Sequence, residues 1–389
     1  MAPTTAPWAG DDDDTVEELH EEDEATDAPD FDDPIISDLH MKSKQVDMSR
    51  FAPISAASYF SQALEVDSPS RDIVFRAYYT PSNLTGNLEQ LTGKSQRGSV
   101  LVCHHGAGSA GTTFACLAKS VHELSGAELG VLAFDARGHG KTKTQPEEAE
   151  RVLSFENLQH DFVALLKQVY PVSADAPGFI LLGHSMGASP VMSAAPLLQQ
   201  EGYKIVGVVV LDVVEGTAVE ALPLMKNILS QRPTKFGSVE EAIQWHISSG
   251  AVRNLESAKI SVPSLLVPLP NRAEGAQDVI WRTDLMATAP YWEEWYKNLS
   301  SEFLAARAAK LLVLAGQERL DRELMVGQMQ GKFQLEVLPD VGHYLHEDKP
   351  EKLAAIIVDF WKRNTTTLIL PPKIGSRPSA QSVKMVGEE

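Results

Sequence analysis

The chain has 389 residues, 43% of them hydrophobic, which is enough for a sizeable core in one large or two ordinary domains. Its formal net charge is −19, yet residues 1–40 hold fifteen acids and no Lys or Arg, so about −4 remains for everything after them. A nearly balanced body excludes a nucleic-acid footprint, and no apolar run reaches the length needed to span a membrane.

Residues 1–45 read as a disordered acidic tail, because self-repulsion and few apolar groups oppose a packed core. No basic start followed by an apolar stretch marks a secretory signal. Cys103 and Cys116, the only cysteines, sit in apolar stretches and read as reduced core thiols. The expected compartment is the cytosol, with the nucleus second.

Structure is expected from near Phe51. Leu64 to Asp67 and Ile73 to Tyr79 read as a strand pair, and residues 81–98 as a polar loop. Strands and helices then alternate. Ser99 to Cys103, Gly130 to Phe134, Phe179 to Leu182 and Val206 to Leu211 are continuous apolar strands. Residues 112–124 read as a helix. Phe155, Leu158, Phe162, Leu165, Leu166 and Val169 mark one helical face. This pattern predicts an α/β fold whose mostly parallel central sheet is covered by helices on both faces. The rhythm stops over residues 213–301, which read as a mainly helical lid, with helical pieces at 239–246 and 291–296 and a mobile Pro-rich loop over 262–277. It resumes with a strand at 310–316, a helix at 322–330, a strand at 333–338 and a helix at 349–361. The domain reading is a core of 46–212 and 302–363, a lid of 213–301 and a disordered tail of 364–389.

The motif with the most chemical content is Gly183-His184-Ser185-Met186-Gly187. A bare GxSxG occurs by chance, but here a strand precedes it and a helix-compatible stretch follows. That is the context of a nucleophile elbow, in which a serine is presented at the apex of a tight strand-to-helix turn. Pro190 suits the first turn of that helix; Pro196 is expected to kink or shorten it.

A serine hydroxyl needs a base, and the base needs an orienting acid. His343 follows the turn Asp340-Val341-Gly342 after the last strand and is the expected base, with His346 as competitor. The acid is open between Asp212, Asp321 and Glu318, each on a loop at the same edge of the sheet. The loop from His104 to Ser109 stands where oxyanion donors belong, so the backbone N–H groups of Ala107 and Met186 are the expected pair. Gly106, Gly108 and Gly111 with Asp135 also spell a dinucleotide fingerprint, which predicts NAD binding. That rival leaves the elbow and the His343 loop unexplained.

Several segments resemble the protein phosphatase methylesterases. They are Leu211-Asp212-Val213-Val214-Glu215-Gly216-Thr217-Ala218, Ile243-Gln244-Trp245, Arg253 to Ala258, Tyr291-Trp292 with Trp295, Gly327 to Gln334, and Gly342-His343 with His346-Glu347-Asp348. The resemblance runs from about Phe51 to Arg363. It implies an α/β-hydrolase that removes the methyl ester from the C-terminal leucine of the protein phosphatase 2A catalytic subunit. It also implies a triad of Ser185, Asp212 and His343, with no metal or organic cofactor. The implied partner contacts are the phosphatase's C-terminal tail, the surface around its metal site and its scaffold subunit. Ala107, Pro190 and the short stretch 262–277 depart from the family pattern. A small-molecule esterase or lipase, and a phosphatase-binding regulator acting without catalysis, are the alternatives.

Overall fold

The structure, a computed structural model, describes residues 47–83, 98–172, 176–316 and 320–365. The expected N-terminal tail, the expected C-terminal tail beyond Thr365, most of the 81–98 loop, and Glu318 lie outside these residues; Asn364 and Thr365, read as tail, continue the last helix. A nine-stranded sheet organises the chain. Its order is β1 (Gln62–Ser68), β2 (Ile73–Thr80), β4 (Leu129–Phe134), β3 (Ser99–His104), β6 (Gly178–His184), β7 (Ile205–Leu211), β11 (Ala309–Leu314) and β12 (Gln334–Val337), with β5 (Lys143–Thr144) also on β2. From β4 to β12 all neighbours are parallel; β1, β2 and β5 add antiparallel pairs at one side.

Period-two alternation divides the apolar strands between two cores. Val100, Val102, Leu132, Phe134, Phe179, Leu181, Val208 and Val210 face one layer, formed with α2 (Phe155–Val169) and α3 (Ala188–Gln200). Leu101, Cys103, Val131, Ala133, Ile180, Leu182, Val209 and Leu211 face the other, formed with α1 (Ala115–Leu124) and the last long helix (Pro350–Thr365). Both cysteines are free and buried in that second layer. Continuous apolar strands are required because each face of the sheet is covered.

Between β7 and β11 the chain forms α4 (Glu215–Ser230), α5 (Val239–Ser248), α6 (Leu255–Ser261) and α7 (Leu299–Ala305), with a small antiparallel sheet of β8 (Lys235–Phe236), β10 (Val279–Trp281) and β9 (Leu266–Pro268). Three sequence readings are corrected here. The expected loop 262–277 contains a 3-10 turn and β9, because Leu266, Val267 and Pro268 pair with Trp281, Ile280 and Val279. Residues 291–296 are not a helix: a 3-10 segment ends at Tyr291, and Trp292 and Trp295 are instead spent on burial. Pro196 does not shorten α3, because it lies on the exposed side while Ala194, Ala195 and Leu198 keep the buried side continuous. The chain closes with α8 (Arg322–Met329), α9 (Leu345–Asp348) and α10 (Pro350–Thr365), which runs four residues past its expected end. No helix among the described residues is long and apolar enough to cross a membrane.

Residues of the inserted segment are part of the main core. Trp292, Trp295, Tyr296, Leu299 and Phe303 pack in the same cluster as Phe162 and Met186. The Trp295 indole donates to the Leu153 carbonyl at 2.7 Å, and Glu294 accepts the Phe155 N–H at 2.8 Å. A smaller cluster, centred on Phe236, Ile243, Val262 and Val279, holds the outer part together.

Leu181, fully buried in β6, tests the central layer. Leu181→Ala is expected to cost about 2–5 kcal/mol, seen as a lower midpoint in urea unfolding followed by tryptophan fluorescence.

Candidate active site

Strand β6 turns directly into α3 at Ser185, and the turn is possible only because glycines surround it. A side chain at Gly183 would meet the Gly187 carbonyl oxygen at 2.4 Å; one at Gly187 would meet the His104 carbonyl oxygen at 2.5 Å. Ser185 itself takes a left-handed backbone, φ 50°, which non-glycine residues rarely adopt. Its Cβ lies so close to Gly106 that any side chain there would sit 3.1 Å from it. The serine, the loop after β3 and the start of α3 are thus packed backbone to backbone. The Met186 N–H lies at this same helix start, and Ala107 follows Gly106 in the facing loop.

Asp212 ends β7 and is 5% exposed, also with a left-handed φ of 50°. Its Oδ1 accepts the Ala315 N–H at 2.7 Å, and its own N–H donates to the Val313 carbonyl at 2.8 Å, both on the neighbouring β11 strand and its end. The remaining oxygen accepts the His343 Nδ1–H at 2.7 Å. A proton on Nδ1 leaves Nε2 of a neutral imidazole as a lone-pair acceptor. Of the two acid candidates among the described residues, Asp212 is the one bonded to His343. Asp321 caps α8, accepting the Leu324 N–H at 2.9 Å and the Ser300 hydroxyl, and has no bond to His343. Glu318 lies outside the described residues.

His346, the competitor for the base, is fully buried and stacks on Phe114 with ring centroids 4.7 Å apart. Burial pushes its pKa down to about 3. The sequence reading gave no role to His184, the second residue of the elbow. Its Nε2–H donates to the His343 carbonyl oxygen at 2.9 Å, so the residue before Ser185 holds the backbone of the loop that carries His343. Burial holds His184 well below the usual histidine range, keeping it neutral.

Two more buried imidazoles fasten the 106–108 loop. His105 Nδ1–H donates to the Gly106 carbonyl at 2.8 Å while its Nε2 accepts the Ala136 N–H at 2.9 Å. His139 Nδ1–H donates to the Arg137 carbonyl at 2.7 Å while its Nε2 accepts the Gly108 N–H at 2.9 Å. Each must be neutral to accept at Nε2; burial lowers both, His139 to about 4. Asp135, the acid of the dinucleotide rival, is fully buried. It accepts the N–H groups of Gly111 and Lys141, each at 2.8 Å, so it fastens loops together and presents no oxygen to a ribose.

The inserted segment closes over this edge of the sheet. Leu285 lies against Gly108, where a side chain would meet it at 2.7 Å, and Thr283 donates to the Gly138 carbonyl at 2.8 Å. The Tyr296 hydroxyl faces the Ser185 side chain; burial raises its pKa, with Ser185 acting in the other direction. Only spatial folding brings Tyr296 to Ser185, since no motif marks it. Among the described residues no group of three or more His, Cys, Asp or Glu is arranged to hold a metal ion.

A strand-turn-helix serine, an Asp-paired histidine after the last strand, and a mostly parallel sheet define an α/β-hydrolase. Residues 101–356 match the Alpha/beta hydrolase family. E-2-(acetamidomethylene)succinate hydrolase has a similar solved structure, with TM-score 0.58 and 18% identity, covering 77% of this chain and 98% of that one. Protein phosphatase methylesterase 1 of Cryptococcus neoformans var. neoformans is 50% identical over 412 aligned positions, spanning 100% of this chain and 96% of the relative. Protein phosphatase methylesterase 1 of Schizosaccharomyces pombe is 45% identical, over 73% of this chain and 80% of the relative. The chain belongs to the protein phosphatase methylesterase family and is a carboxylic ester hydrolase.

Gly187→Ala would push a methyl group into the His104 and His105 carbonyls. The expected result is a loss of about 1–3 kcal/mol with a displaced elbow, measured as a lower melting temperature together with reduced ester hydrolysis.

Proposed function

We propose that the chain removes the methyl ester from the C-terminal leucine of the protein phosphatase 2A catalytic subunit, using Ser185, His343 and Asp212. The observation that carries the chemistry is the 2.7 Å bond from His343 Nδ1 to Asp212, made by the loop that His184 fastens beside Ser185. The family supports the substrate class.

In this reading His343 Nε2 takes the Ser185 hydroxyl proton as Oγ attacks the ester carbonyl carbon. Asp212 holds the ring in the Nδ1–H tautomer and stabilises the imidazolium that forms. The negative charge moves to the carbonyl oxygen, where the N–H groups of Ala107 and Met186 stabilise it. When the tetrahedral intermediate collapses, the C–O bond to the methoxy group breaks and His343 delivers its proton to departing methanol. Water then repeats the sequence on the acyl-enzyme, releasing the leucine carboxylate and restoring Ser185. The phosphatase docks through its C-terminal tail and the surface around its metal site, with the scaffold subunit adjoining.

The test is demethylation of carboxymethylated protein phosphatase 2A, with complex formation followed in the same samples. Ser185→Ala is expected to abolish demethylation and retain binding. Undiminished turnover would remove Ser185 as nucleophile, and wild-type inactivity with intact binding would favour a regulator that acts without catalysis. Asp212→Asn is expected to lower turnover by about 10⁴-fold through the wrong imidazole tautomer, with His343 still in place by crystallography.

A further inference from the structure

Four residues beyond His343 lies Glu347, a carboxyl 2% exposed that the reaction described above does not use. It joins three separate segments. Its Oε1 accepts the hydroxyl of Thr113, which lies between the 106–108 loop and α1. Its Oε2 accepts the Ser261 hydroxyl at 2.6 Å, and its main-chain carbonyl accepts the Ser257 hydroxyl at 2.8 Å; both serines are on α6 of the inserted segment. Its own N–H donates to the Tyr344 carbonyl at 2.8 Å, closing the turn that follows His343.

Thr113 has one proton and two partners. Besides Glu347, its oxygen lies 2.9 Å from His346 Nε2. When Thr113 donates to Glu347, its oxygen accepts from His346 Nε2–H. When Glu347 is protonated and donates to Thr113, the threonine proton turns to His346 Nε2 and the imidazole proton must move to Nδ1. That nitrogen is buried with no hydrogen-bond partner, and an orphaned N–H donor there is costly. His346 packs edge-on against His184 at 4.5 Å, and His184 holds the His343 carbonyl.

We infer that Glu347 is a positioning residue: as a carboxylate it ties α6 and Thr113 to the His343 loop, so the placement of the catalytic histidine depends on the placement of the inserted segment. The inference rests on His343 being the base.

Burial raises Glu347 to about 7, opposed by the bonds from Ser261 and Thr113 and reinforced by Asp348. The other titratable groups that face it are His346 and Tyr344 on its own loop and Cys116 on α1; α6 contributes the two serines. All of these except Asp348 are neutral near pH 7; Asp135, which burial raises to about 6, also ionises at the acid end of the range, so the Glu347 ionisation is the one that Glu347→Gln removes. The carboxylate accepts both hydroxyls and is the competent form, so activity is lost as pH falls through its pKa.

The measurement is the rate of Ser185 labelling by a fluorophosphonate from pH 5.5 to 9, which reads serine reactivity without the phosphatase or its ester. In the full-length wild type, log rate against pH is expected to steepen beyond a slope of one below pH 7, by less than one full unit because the protonated form keeps part of the rate. Glu347→Gln mimics the protonated form. It is expected to label about 10- to 100-fold more slowly at pH 8 and to keep a slope of about one. Ser261→Ala keeps the carboxyl and loses the α6 contact, so it is expected to slow labelling while keeping the steeper slope. A wild-type slope of one, or superimposable wild-type and Glu347→Gln profiles, overturns the inference while leaving the demethylation reading intact. Absence of wild-type labelling at every pH removes Ser185 as nucleophile and this inference with it.

Discussion

The structure depends on how closely backbones approach around Ser185. Gly183, Gly187 and Gly106 have neighbours at distances no side chain tolerates, and the serine between them takes a left-handed φ of 50°. That conformation costs of order 1–3 kcal/mol in isolation and persists because β6, α3 and the loop after β3 over-determine it. The same packing brings the 106–108 loop against the start of α3. Its consequence is that the loop carrying Ala107 and the helix start carrying Met186 meet at the serine.

Around this turn the protein uses neutral imidazoles as clamps. His105 and His139 each donate at Nδ1 and accept a main-chain N–H at Nε2, a pair of bonds that a protonated ring cannot make. His184 donates to the His343 carbonyl. Burial keeps these rings uncharged, so the main-chain geometry they hold does not change with pH through the neutral range. His343 differs in two respects: its side chain is 27% exposed and it bonds a carboxylate. The division is physical. Buried rings without a carboxylate partner are structural fasteners; the more exposed one is paired with Asp212.

The inserted segment is not a flap laid over a finished domain. Trp292, Trp295, Leu299 and Phe303 share the core of α2 and α3, and the Ser189 hydroxyl, one helical turn past the nucleophile, bonds the Trp295 carbonyl. The outer part, around α5 and α6, forms its own small core and meets the His343 loop through Ser257, Ser261 and Glu347. One stretch is therefore locked to the nucleophile helix and another to the base loop, so this segment joins both halves of the site.

The sheet was legible in the sequence because parallel strands covered on both faces must be continuously apolar, and Val100 to Cys103, Phe179 to Leu182 and Val206 to Leu211 are. The elbow was legible because only glycine fits its flanks, and His343 because a turn glycine precedes it after the last strand. Spacing left Asp212, Asp321 and Glu318 open, since a carboxylate's partner is set by which strand ends lie side by side, and β7 lies beside β11 only in the folded sheet. Residues 262–277 and 291–296 were misread for a related reason. Local pattern registers proline and aromatic content, whereas pairing with Trp281 and burial against α2 decided the outcome. Motif spacing assigns no role to His184, Tyr296 or Glu347, although the first lies in the elbow and the last in the stretch after His343. Their roles come from atoms of distant residues meeting at hydrogen-bond range, a property of the tertiary structure that no one-dimensional spacing encodes.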